Sequence, residues 1–208
     1  MYHPDTIAAR EASLLAAPGW AKLFPNGIPT YSVADSKQLT QDLLRIRNSD
    51  SGVFSRKLTQ EESTFLAATP IRCAIDYPYF AERFVKIDDE GSGLRNLYPM
   101  WESQRFVLRQ LGEVERARWG VHPDGILLNV LKARQLGVST LSEALVAHRI
   151  LFQPYTRGLS GADVEEQAGY LFRMVTRIYD HLPWFLQPTP RFPFVKNREM
   201  GFGNQSFL

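Results

Sequence analysis

Residues 125–131 form an apolar run, Gly-Ile-Leu-Leu-Asn-Val-Leu, and residues 141–152 have the composition of a helix, with Lys132-Ala-Arg-Gln-Leu-Gly-Val-Ser-Thr140 between them. No other feature of the chain restricts its fold as strongly. A buried strand, a short loop with Gly and Ser/Thr, then a helix is the arrangement of a phosphate-binding loop. The first backbone N–H groups of such a helix have no partner within it, and the helix dipole adds partial positive charge there. A second unit follows, with a short strand predicted over 155–161 before another helix. Two strand–helix units in succession predict an α/β fold, a partial parallel sheet of the P-loop NTPase kind flanked by helices.

Aligned on its second glycine, Gly137, the loop departs from G-x-x-x-x-G-K-[ST]. Ser139 takes the hydroxyl position, Val138 stands where the lysine is usual, and Lys132 replaces the first glycine. A lysine at the loop entrance has a long stem, so its ammonium can reach the same phosphate oxygens from the other side. By position, Ser139 is the expected Mg²⁺ ligand and Thr140 caps the helix beside it. Gly137 lets the backbone approach the phosphates, where a Cβ would collide.

The lysine exchange, with Arg134 two residues on, resembles the variant Walker A of the large subunit of tailed-phage terminases, the ATPase that packages viral DNA. Three further stretches carry the resemblance over residues 70–190. The lead-in from Asp76 through Val85-Lys-Ile87 comes first. Next is the stretch 97–108, which resembles the adenine-recognising segment and contains Gln104. Last come residues 159–168 and the Leu182-Pro exit. An ordered set of weak motifs is harder to produce by chance than any one of them.

The resemblance implies ATP and Mg²⁺ as cofactors. The ATP site would comprise Gln104, Lys132, Ala133, Arg134, Gln135, Leu136, Gly137, Val138, Ser139 and Thr140. Lys132 and Arg134 would stabilise phosphate charge as catalytic cations, and Ser139 would bind the metal. An amide both donates and accepts, which suits Gln104 to the edge of adenine. The implied partners are double-stranded viral DNA, the portal protein and the small terminase subunit. The implied setting is an oligomeric motor ring at the procapsid portal in the host cytoplasm. Two other readings stand beside it: a different P-loop translocase of helicase-like type, and a non-catalytic docking module for a portal or partner subunit.

Hydrolysis also needs an acidic pair to orient the attacking water. No apolar run ending in Asp-Glu follows Leu182, and Ile75-Asp76 and Tyr179-Asp180 fit neither by position nor by context. The chain is therefore expected to be an amino-terminal portion, with a helical lead segment over 1–70 and an incomplete ATPase domain over 71–208. Little ATPase activity is expected from these residues alone.

Composition excludes several alternatives. A net charge of +2, with interspersed signs, gives no basic footprint of a dedicated DNA-binding module. Cys73 is the one cysteine, so an intramolecular disulfide and a multi-cysteine zinc site are impossible. His3, His122, His148 and His181 have no metal-ligand spacing and are expected at the surface or half-buried. There is no 18-residue apolar run and no signal-peptide layout.

Local signals place the helices. Segments 5–16 and 36–46 read as helical. Thr59 with Glu62 has capping-box spacing, opening a helix that Pro70 should stop. Residues 78–86 read as an aromatic helix, 88–93 as an acidic turn, and 100–118 as a helix with a solvated charged face. After Asp163, an expected N-cap with Glu166, apolar residues recur from Val164 to Leu182 at helical spacing, and Pro183 ends the run.

Overall fold

The computed structural model describes residues 2–89, 93–118, 129–131, 136–191 and 199–208. The fold is mixed α/β and mostly helical. Five helices come first: α1 (Pro4–Leu15), α2 (Pro18–Leu23), α3 (Val33–Ile46), α4 (Gln60–Ile75) and α5 (Tyr77–Phe84). Strands β1 (Lys86–Asp89) and β2 (Gly93–Asn96) precede α6 (Glu102–Arg118), α7 (Val138–Phe152) and α8 (Glu165–Asp180), and a 3-10 turn covers Trp184–Leu186. Strands β1 and β2 pair antiparallel, Lys86 opposite Asn96, in the only sheet among the described residues.

The caps explain most helix starts. Ser32 accepts from the backbone N–H of Asp35 to open α3, and Asp76 accepts from that of Tyr79 to open α5. The capping box at α4 is complete, since Thr59 accepts from the N–H of Glu62 while Glu62 accepts from that of Thr59. The Arg56 guanidinium, hydrogen-bonded to the Glu62 carboxylate, holds that carboxyl down at about 2.

Helix α7 is central and contacts α4, α5, α6 and α8. Leu141, Ala144, Ala147 and Ile150 are fully buried on it. The apolar stripe of α8 supplies Phe172, Val175 and Ile178 to the same core. Aromatic residues of α5 close the other side, with the Phe80 ring 5.1 Å from that of Phe152.

Several expectations need correcting. Pro70 does not stop α4, which continues to Ile75. The proline removes one bond to the Leu66 carbonyl, yet Phe65 and Ala68 before it and Cys73 and Ile75 after it are all buried. Burial on both sides outweighs the roughly 3 kcal/mol that an interior proline costs. Pro70→Ala should therefore raise stability by about 2 kcal/mol, after loss of the proline's stiffening of the unfolded chain. An unchanged or lower urea midpoint would contradict that. The capping pair at α8 is also displaced, because Val164, not Asp163, holds the cap position and no side chain bonds there. The acidic turn proves to be part of a hairpin, with 88–89 and 93 lying in β1 and β2.

No parallel sheet is found among the described residues. Of the first predicted strand, 125–128 lie outside them, while Asn129, Val130 and Leu131 carry no strand and are exposed. An apolar run buries itself only against a neighbouring sheet or helix, and none of the described residues covers these three. Over 155–161 a single parallel bridge, Arg157 to Phe207, replaces the expected strand. Tyr155, at φ 60, begins the segment in the left-handed region, which no strand residue adopts.

Candidate nucleotide site

Gly137 is the cap residue just before α7, and its φ is 67. A Cβ at this left-handed position would lie 2.6 Å from Nε2 of Gln104 and 3.1 Å from the Trp101 ring. Glycine is required here on two grounds, backbone conformation and space. No side chain caps α7, so Thr140 does not play the capping role expected of it. Ser139 is exposed on the first turn, and Thr140 is half-buried beside it.

The start of α6 clamps this loop. Ser103 donates from Oγ to the Leu136 carbonyl at 2.8 Å. Gln104 donates from Nε2 to the Gly137 carbonyl at 3.0 Å. Its Oε1 accepts from the Trp101 N–H at 2.9 Å, which also secures the first turn of α6. Gln104 is 4% exposed. The residue that the resemblance assigns to adenine thus lies directly against the loop, with both ends of its amide engaged inside the chain.

Lys132, Ala133, Arg134 and Gln135 lie outside the described residues. Val138 is buried in the main core, which accounts for the apolar residue at the usual lysine position. An ammonium on that side chain would have to leave water, at a cost of several kcal/mol.

Next to the first turn of α7 is a cavity of about 70 Å³, lined by Thr140, by Lys86 and Asp88 of β1, and by Tyr170, Arg173 and Arg177 of α8. Arg177 is ion-paired with Asp88. Burial, with the charge of Lys37 second, pushes the Lys86 ammonium below the ordinary lysine range. Sequence reading missed this cation group. The available signal was the i,i+4 spacing of Arg173 and Arg177, which puts both on one helix face.

Mg²⁺ takes carboxylate, phosphate and water oxygens in near-octahedral array. The loop offers it one hydroxyl, Ser139. The nearby Asp88 carboxylate is held by Arg177, and no cluster of three or more His, Cys, Asp or Glu suited to a metal occurs among the described residues. These residues alone do not make a magnesium site. A phosphoryl group suits them better, since the site presents an unencumbered helix start, hydroxyls and cations. Among the described residues no helix is long and apolar enough to cross a membrane. No protein-family model matches this chain, and no curated protein matches it either.

Proposed function

We propose that this chain is the nucleotide-binding, amino-terminal portion of a terminase-like DNA-packaging ATPase. The observation that supports it is the loop at the start of α7: Gly137 in a conformation that only glycine holds without strain, followed by the exposed Ser139. The clamp by Ser103 and Gln104 adds preorganisation at the helix end of the loop, because the Leu136 and Gly137 carbonyls are held before a ligand arrives. Lys132 supplies charge from the loop entrance in this reading, and Arg134 adds a second cation. ATP is the ligand, and double-stranded viral DNA, a portal protein and a small terminase subunit are the partners. For Gln104 to read adenine it must exchange its bonds to Trp101 and Gly137 for bonds to the base.

That engaged amide favours a second reading, a docking module whose loop binds no nucleotide. Titration of the chain with a fluorescent ATP analogue in the presence of Mg²⁺ separates the two. The proposal expects saturable binding, competed by ATP and weakened at least tenfold in Lys132→Ala, since hydrogen bonds to charged groups contribute roughly 1.5–3 kcal/mol. Arg116→Ala, on the far part of α6, should bind as the parent does. Absence of competable binding would select the docking module.

A further inference from the structure

The Lys86 of the Val85-Lys86-Ile87 lead-in has no role in the reading above. It opens β1 and, with Asp88, makes one wall of the cavity whose other wall is Arg173 and Arg177 of α8, with Thr140 of α7 at its edge. Asp88 is engaged by Arg177. Lys86 and Arg173 line the cavity with no carboxylate partner among the described residues; Lys86 also borders the neighbouring cavity beside Lys37, and the Arg173 guanidinium lies over the Tyr170 ring at 5.9 Å. An anion placed between two cations is attracted by both.

Size narrows the choice of anion. The cavity, at about 70 Å³, exceeds the roughly 10–15 Å³ that one water needs. It is far below the roughly 300 Å³ at which pockets for whole small molecules begin. One tetrahedral oxyanion is the matching scale. Charge agrees, with three cations set against the single carboxylate of Asp88.

We propose that Lys86, Arg173 and the Thr140 hydroxyl bind one phosphoryl group in this cavity, as a site additional to the loop residues 132–139. Arg173 and Lys86 grip its oxygens from opposite walls, and Arg177 adds its charge while remaining paired with Asp88. The inference rests on the nucleotide reading only for the source of the group. The phosphoryl is either free phosphate or the terminal phosphate of a nucleotide held at the neighbouring loop.

Calorimetric titration of the whole chain with inorganic phosphate, and separately with Mg²⁺-ATP, tests it. Arg173→Gln and Lys86→Gln should each weaken phosphate binding about tenfold, the scale of one lost charge-assisted bond. Arg173→Lys should retain more of it than Arg173→Gln. Arg109→Gln, at an exposed position of α6, should change nothing. All of these side chains except Lys86 are exposed, and an unchanged thermal transition confirms folding of each variant. If the same substitutions also weaken ATP, the group is the nucleotide's own phosphate. If phosphate binding is sensitive to them while ATP does not bind at all, the cavity is a free-anion site and the nucleotide reading falls. Phosphate binding that neither Gln variant alters, or none at millimolar phosphate, overturns the proposal. ATP binding by the parent chain would then leave the nucleotide reading standing.

Discussion

A Gly137→Val chain should lose about 3 kcal/mol of stability and, with it, the geometry of the loop. Two effects add. A β-branched residue in the left-handed region costs roughly 1–2 kcal/mol in the backbone alone. The new Cβ would also meet the Gln104 amide at 2.6 Å, so that amide must leave both the Gly137 carbonyl and the Trp101 N–H. Each neutral bond of this kind contributes about 1 kcal/mol. A double-mutant cycle isolates the second effect. In a Gln104→Ala background the amide is already gone, and Gly137→Val should cost the backbone strain, about 1–2 kcal/mol, and the contact with the Trp101 ring at 3.1 Å, still less than in the parent. Equal costs in the two backgrounds would show that the amide moves aside freely and that the clamp contributes nothing. Because the first turn of α7 shifts in Gly137→Val, binding at Ser139 and Thr140 should be lost in parallel, a result that a purely structural glycine elsewhere would not give.

The helices were largely legible because their signals are local. The Thr59 capping box and the α8 stripe from Ala168 to Tyr179 depend on residues three and four apart. Pro70 was misread for the opposite reason. Its local penalty is real, but the burial that overrides it comes from partners distant in sequence, Ile28 among the small cluster that takes in Ala68 and Ile75. Strand signals failed more widely. Val130 and Leu131, and residues 155–161 apart from the single bridge at Arg157, have apolar content without a ladder among the described residues, and composition cannot reveal whether a partner is present. The hairpin of β1 and β2 was hidden by its acidic residues, which depress strand propensity and read as a turn.

At the candidate site, the sequence singles out Gly137 and the helix that follows it but not their surroundings. Gly137 stands out in the sequence as the glycine ahead of the Ser139-Thr140 pair; its left-handed φ and its closeness to Gln104 are features of the fold. Gln104 could be placed near the loop only through the resemblance. Its two backbone partners, Trp101 and Gly137, lie 3 and 33 residues away, so its bridging role is a tertiary fact. The cation group failed to appear for the same reason: Lys86, Arg173 and Thr140 come from three separate elements.

His148 gives the second large effect, because its sequence context predicts a surface or half-buried residue and it is fully buried on α7. Its ring packs edge-on to Tyr77 and against Phe80 and Phe152. Nε2 lies 2.7 Å from the Cys73 carbonyl, and a carbonyl only accepts, so Nε2 carries the proton of the neutral ring. Burial drives the His148 pKa down to about 3, with the charges of Arg149 and Arg10 adding to it and the Cys73 bond opposing. The unfolded chain, with an ordinary pKa near 6.5, therefore takes up a proton that the folded chain refuses. The contribution is fully present above about pH 6.5 and is lost as pH falls, by roughly 1.4 kcal/mol per unit. At pH 4.5 the loss should be about 2–3 kcal/mol.

Other shifted carboxyls do not mimic this loss. Glu115, held below the usual range despite the opposing effect of its burial by the bond from the Tyr2 N–H, acts below its unfolded pKa. Glu143 and Asp76 are raised by burial, so the folded chain holds their protons more tightly and acid favours it, the opposite sign. Urea midpoints at pH 7 and pH 4.5 should fall steeply in the parent chain and hardly at all in His148→Leu. Equal falls in both would place the acid sensitivity elsewhere. Since α7 carries Gly137 to Thr140 at its start, the proposed nucleotide binding should weaken over the same interval in the parent and persist further into acid in His148→Leu.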